Sequence, residues 1–315
     1  MEGAETAARP GARVRAEQGE SARRGEQPPL VRSARRVTRS VLIHSGMPTY
    51  WARMLPGFLI VGAQRCGTTS LTRTLSRHPA VFSPVVQGEV HYFDISYQRG
   101  IAWYRSHFPL LARARRAARR AAAPPVTFES SPYYMFHPLA PERINRDLPG
   151  VKLLVLLRDP VERTYSAHTH ESELGFETEP YERALELESS RLEGEAERIM
   201  ADPTYYSHSH QHHAYRARGQ YIEQIERMEQ IFGRERMHVV DSGDFFIDPE
   251  PVYRGVLEFL GLPGDSRAEF KRHNARPRSS PMPESVRDEL DRHYRPYDDR
   301  LAAWLGREPS WRRPQ

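Results

Sequence analysis

The stretch Phe58-Leu59-Ile60-Val61-Gly62-Ala63-Gln64-Arg65-Cys66-Gly67-Thr68-Thr69-Ser70 leaves this chain few ways to fold. A short apolar run reads as a strand buried on both faces. Gly62 breaks the run, and Leu71 and Leu75 at i, i+4 spacing mark a helix over 68–77 that His78-Pro79 ends. Strand, glycine-containing loop and helix, in that order, turn backbone N–H groups toward one point. The helix N-terminus adds partial positive charge there, so the segment is built to hold an anion. Gly62 and Gly67 permit close backbone approach. Thr68, Thr69 and Ser70 add hydroxyl donors, and Arg65 adds a cation inside the loop.

The rest of the chain continues the alternation. Val126–Glu129, Val151–Leu157 and His238–Val240 read as strands, and VKLLVLL at 151–157 suits a central strand of a parallel sheet. Asp159 reads as a helix N-cap, with Pro160 at the first helical position and Glu162 three residues after the cap. Helices are predicted over 219–232, 252–260 and 284–305, the last with Val286, Leu290, Tyr294, Leu301 and Trp304 on its apolar side. No internal repeat is visible. The predicted fold is α/β: a three-layer, P-loop-like domain with a central parallel sheet of about five strands flanked by helices. With 315 residues the chain can hold one large domain or two small ones. Residues 1–35 lack large apolar groups and are expected to be disordered. We expect a basic disordered extension over 1–50, order from near Trp51, and a single domain over 51–311.

A sequence pI of about 9.4 suggests nucleic acid, but the charge is unevenly placed. Residues 1–40 hold nine arginines and five glutamates, whereas the whole chain is only +5, so the folded part is nearly neutral. ARARRAARRAAA at 112–123 is predicted as a helix with arginines on several faces, solvated rather than a nucleic-acid patch. No nucleic-acid partner is expected. The single cysteine, Cys66, permits no intrachain disulfide and no multi-cysteine metal site, which fits a reducing compartment. No apolar run approaches the ~18 residues of a transmembrane helix, and the N-terminus shows no apolar signal region. The expected location is cytoplasmic.

The loop is close to the triphosphate-binding pattern GxxxxGK[ST], but Thr68 stands where that pattern has lysine. That lysine reaches β- and γ-phosphates, so ATP or GTP hydrolysis is disfavoured. A second anion site is suggested by Arg158, directly after the strand at 151–157, and Ser166, two helical turns beyond the Asp159 cap. From these residues alone, pairing of Arg158 with a surface carboxylate and a passive Ser166 is the better reading.

Together the two segments resemble the sulfotransferases that use 3′-phosphoadenosine-5′-phosphosulfate (PAPS). GAQRCGTTS is similar to that family's 5′-phosphosulfate loop, and LLRDPVERTYSAH at 156–168 to its 3′-phosphate motif, with Arg158 and Ser166 in place. GEVHYFD at 88–94 and FESSPYY at 128–134 resemble segments of the heparan sulfate 3-O- and N-sulfotransferase branch, and 281–311 resembles the terminal region of bacterial members. The resemblance implies a PAPS donor held by Arg65, Cys66, Gly67, Thr68, Thr69, Ser70, Arg158 and Ser166. It implies no metal. Arg65 stands where the family usually has a lysine that neutralises the leaving oxygen, and Cys66 where it often has Gly or Cys as a small loop residue. Glu89 matches the family's general base. His91 stands two residues on, on the same side of the stretch if it is extended, placed to orient the acceptor or share the proton. A base acting near neutral pH calls for partial burial of Glu89. In the family a late basic loop covers the donor's 3′ phosphate, and Arg276 and Arg278 are the candidates here. The implied acceptor is a small molecule or glycan, attacked through a hydroxyl or amine, with a carbohydrate favoured. A P-loop small-molecule kinase and a degenerate nucleotide-binding protein are the alternatives. PTYYSHSHQHHAYR at 203–216 carries His208, His210, His212 and His213 without cysteine or carboxylate, and reads as a flexible acceptor-side or lid loop rather than a metal site.

Overall fold

A computed structural model describes residues 40–86, 88–121, 123–264, 268–270 and 282–314. Arg276, Arg278 and the extension predicted as disordered over 1–35 lie outside the described residues. Structure begins ahead of Trp51, correcting the expected boundary. Residues 40–46 form a helix (α1), followed by a 3-10 turn over Met47–Ala52. Burial of Ile43 holds this segment down. So does the Arg53 guanidinium, which donates to the Gly46 and Phe108 carbonyls at 3.2 and 2.7 Å.

The core is a five-stranded sheet in the order β2-β3-β1-β4-β5, with every pairing parallel. The strands are β1 (Phe58–Gly62), β2 (Val81–Phe82), β3 (Val126–Ser130), β4 (Lys152–Leu157) and β5 (Met237–Asp241). β1 is buried throughout and β4 from Leu153 to Leu157, as expected for strands covered on both faces. Each fully buried leucine or valine there contributes roughly 1.5–3 kcal/mol. β2 escaped the sequence reading because it is two residues long, between Pro79 and Pro84.

The first flanking helices are α2 (Thr68–Leu75), α3 (Gly100–Ser106), α4 (Leu111–Ala117), α5 (Ala140–Asp147) and α6 (Pro160–Glu173). The predicted run over 112–123 thus ends early, α4 passing into a 3-10 turn at Ala118–Arg120. Next come α7 (Tyr181–Leu192), α8 (Glu195–Ala201), α9 (His208–His212) and α10 (Tyr221–Phe232). The last are α11 (Ser242–Ile247), α12 (Pro249–Leu260) and α13 (Glu284–Leu305). Ile222, Ile225, Met228 and Phe232 of α10 join the sheet core, so the helical spacing read from the sequence is the packing face. A second apolar cluster joins α6, α7 and α13 through Val161, Leu185, Leu290 and Tyr294.

The strand order positions the site. The chain leaves β1 toward β2 and β3 on one side, then returns to build β4 and β5 on the other. The loops after β1 and β4 therefore flank the crevice where the order reverses, the usual ligand position in such sheets.

Candidate active site

Gly67 caps α2 in the left-handed region at φ 89°, which glycine adopts without steric cost. A side chain there would also meet the Phe246 ring at 2.9 Å. Behind the loop, the Ser242 hydroxyl donates to the Cys66 carbonyl. Asp241 caps α11 by accepting from Gly243 N–H at 2.9 Å, and Ser310 braces Asp241 with its backbone N–H at 2.7 Å and its hydroxyl at 2.6 Å. The loop thus rests on α11, which rests on the 310–312 turn. The opening turn of α2 supplies N–H groups that a helix cannot satisfy internally, with partial positive charge behind them.

The two predicted anion segments meet. Arg65 Nε donates to Ser166 Oγ at 3.0 Å, across 101 residues of sequence. The Tyr221 hydroxyl donates to the Arg158 carbonyl at 2.9 Å and lies 3.5 Å from Cys66 Sγ, stitching the loop after β1 to the loop after β4. The Asp159 carboxylate accepts from the Val161 and Glu162 N–H groups, fixing the start of α6 and so the place of Ser166. Glu162 is drawn off by Arg287 at 2.6 Å, with Arg158 at 3.7 Å, rather than folding back onto its own cap. Cys66 is fully buried, and burial pushes its thiol up, so it fills space and is not a nucleophile. Thr68 and Ser70 are buried at the start of α2, and Thr69 is half-buried.

The other predicted pair also meets. His91 Nε2 lies 2.9 Å from Glu89 Oε2, and His91 Nδ1 lies 2.7 Å from Asp94 Oδ2. Asp94 was not singled out from the sequence, although it stands one helical turn from His91 inside GEVHYFD. Burial disfavours charge on His91, but the Asp94 and Glu89 carboxylates outweigh it and hold the imidazole well above the ordinary histidine range. With both ring nitrogens donating, His91 positions Glu89 and has no lone pair left to receive a proton. Glu89 is half-buried, its side chain 36% exposed at the rim.

Among the described residues, the non-glycine residues with positive φ are Arg65 (68°) and His91 (53°). A non-glycine residue in this region costs roughly 1–2 kcal/mol. Such strain persists where the surroundings enforce it, commonly at functional sites. For His91 the enforcing groups come from FESSPYY. Ser131 Oγ accepts from His91 N–H at 3.2 Å, and the Tyr134 hydroxyl accepts from Tyr92 N–H at 2.9 Å. Both hydroxyls donate to Glu129, as does Tyr104, at 3.1, 3.0 and 2.9 Å. Glu129 is fully buried, and burial pushes its carboxyl up to about 7 against the pull of these donors. Segment 131–135 is itself pinned to β1, through Ser131 N–H on the Ile60 carbonyl and Met135 N–H on the Val61 carbonyl. The His91 turn is therefore registered against β1, the strand that leads into the Gly62–Gly67 loop.

The 203–216 segment is not a flexible loop. It contains α9, capped by Ser207, with His210 buried. Its imidazoles are ordered by partners: His210 by the Tyr133 hydroxyl at 2.7 Å, His212 by Glu171 at 2.9 Å, and His213 by the Phe176 carbonyl at 2.9 Å. Glu171 also accepts from Gln64 of the loop after β1 at 2.9 Å, and Gln64 accepts from Arg218 at 2.7 Å. His210, His212 and His213 are thus engaged in a wall joined to that loop.

The candidate site thus joins the crevice after β1, the Arg158–Ser166 segment bonded to it and a carboxylate–imidazole pair in the loop after β2. Residues 55–279 match the sulfotransferase domain family, and the chain belongs to that family. The human heparan sulfate glucosamine 3-O-sulfotransferase 5 is 30% identical over 213 residues, 67% of this chain and 55% of that protein. The bifunctional heparan sulfate N-deacetylase/N-sulfotransferase 1 of Caenorhabditis elegans is 27% identical over 67% of this chain and 22% of its own length. The chain thus spans about half, or less, of these relatives. The crystal structure of a sulfotransferase from Alicyclobacillus acidocaldarius superposes with a TM-score of 0.59 at 31% identity, over 82% of this chain and all of that one.

Proposed function

We propose that residues 51–311 act as one unit that transfers a sulfuryl group from PAPS to a hydroxyl or amine of a carbohydrate or glycosylated acceptor. The observation that carries this reading is the Arg65–Ser166 bond, which brings both anion motifs onto one crevice. A donor with a 5′-phosphosulfate and a 3′-phosphate needs two such motifs, and a nucleoside triphosphate does not. The α2 turn, Arg65, Thr68, Thr69 and Ser70 hold the phosphosulfate, and Arg158 and Ser166 hold the 3′-phosphate, with Arg276 and Arg278 covering it.

The acceptor oxygen or nitrogen attacks sulfur while its proton passes to Glu89. The bond from sulfur to the 5′-phosphate oxygen breaks, and its electron pair stays on that oxygen. Arg65 and the helix terminus offset the growing charge, a role that needs a cation and N–H dipoles rather than a metal. Adenosine-3′,5′-bisphosphate leaves. His91, held by Asp94, keeps Glu89 aimed at the acceptor. The names of the heparan sulfate glucosamine relatives support an amino-sugar-bearing glycan as acceptor.

Calorimetry with adenosine-3′,5′-bisphosphate and with ATP·Mg²⁺ tests the donor. Incubation with PAPS and a panel of glycans, read by the mass of the acceptor, tests transfer. Bisphosphate binding with a sulfate-sized mass gain supports the proposal. ATP binding alone would replace it with a kinase, and binding of neither with a degenerate scaffold.

A further inference from the structure

The segment ahead of β1 and the helix ahead of β3 carry a surface that the proposed transfer reaction does not use. Trp51 is 71% exposed and Val41 59%, with Leu42, Tyr50 and Leu55 also well exposed. These apolar groups are not on a loose strand. Arg105 donates to the Trp51 and Arg53 carbonyls at 3.2 and 2.5 Å, Met54 N–H donates to the Pro109 carbonyl at 3.0 Å, and Arg53 bridges to Leu110. That bridge ties them to the residue before α4. On α4 and its 3-10 extension, Ala114 and Ala118 are buried, while Arg113, Arg115, Arg116 and Arg119 are exposed. None of these four has an ion-pair partner among the described residues. By contrast, Arg300 bonds Glu223 and Glu226, and Arg312 bonds Asp299. The sequence entering α1 adds nine arginines against five glutamates over residues 1–39.

We infer that this face, comprising α1, the Met47–Ala52 turn and the outward side of α4, docks on an anionic phospholipid bilayer. A bilayer surface takes both halves of the patch. The headgroup layer accepts Trp and Tyr rings and short aliphatic chains, and the phosphates attract the arginines. An acidic polysaccharide would use the arginines and leave Val41, Leu42 and Leu55 in water. A second copy of the chain would set the arginine row against itself unless offset. Apolar anchorage alone is marginal, but an apolar anchor joined to a polybasic segment gives stable association.

The full chain should co-sediment with mixed phosphatidylglycerol–phosphatidylcholine vesicles and not with pure phosphatidylcholine. The association should fail near 1 M salt, where the screening length falls to about 3 Å. Replacing Arg113, Arg115, Arg116 and Arg119 together by Gln should weaken binding about a hundredfold or more, and Trp51→Ser about tenfold. Adenosine-3′,5′-bisphosphate binding should stay unchanged in both, which certifies the fold. The inference is overturned by absent vesicle binding at low salt, by binding that the quadruple variant retains, by retention on heparin without vesicle binding, or by vesicle-free self-association that Trp51→Ser abolishes.

Discussion

The proposed donor and acceptor sides of the crevice are built by different means. The donor side presents a local device, a strand end, a glycine-bearing turn and a helix start, with Arg65 and Ser166 added and Ser242 propping it from behind. The acceptor side is a relay of side chains from five separated segments: Glu89 to His91 to Asp94, Ser131 and Tyr134 on Glu129, and Glu171 between Gln64 and His212. Backbone dipoles fix one side and buried hydrogen bonds fix the other. The donor side should therefore tolerate side-chain changes better than the acceptor side, except where charge itself is used.

The sharpest break in this comparison is Glu89→Gln. It should lower turnover about a thousandfold while leaving adenosine-3′,5′-bisphosphate affinity intact, measured by product release and calorimetry. Unchanged turnover would move the base elsewhere.

Arg65→Ala should cost turnover about a hundredfold, and Arg65→Lys should recover most of it, because the charge rather than the planar fork meets the leaving oxygen. Failure of lysine to rescue would show that the bond to Ser166 matters more than the charge.

The third test probes the buried end of the acceptor relay. Glu129 is pushed up to about 7 in the fold against an ordinary 4.5, so the folded protein holds this proton more tightly than the unfolded chain. Stability from this group is full below pH 4.5 and is lost as pH rises through 7, on the order of 3 kcal/mol. Urea midpoints should fall between pH 5 and 8 in the wild type, and Glu129→Gln should flatten that slope. The smallest effect is Asp159→Ala, which should cost about 1 kcal/mol through the lost cap and loosen bisphosphate binding only through Ser166.

The same contrast decides what could be read in the sequence. The strand–loop–helix at 58–75, the Asp159 cap and the apolar face of α13 are local patterns, and all three stand where the sequence places them. The two anion segments could be matched separately, but not the 3.0 Å contact between them, since nothing local brings residues 101 apart together. Asp94 and Glu129 lay inside stretches whose resemblance was visible, yet their roles come from burial and from hydroxyl donors on other elements. The histidines of 203–216 looked loose because their partners, Tyr133, Glu171 and the Phe176 carbonyl, belong to other segments.

The prop behind the donor loop has a consequence for biosynthesis. Ser242, which holds the Cys66 carbonyl, follows it by 176 residues, and Ser310, which braces the α11 cap, comes later still. A ribosome translates the glycine loop early, but the loop gains its support only once the 310–312 turn has emerged. The loop's support thus waits on residues far along the chain, and a fragment that ends before that turn should carry the motif without its prop.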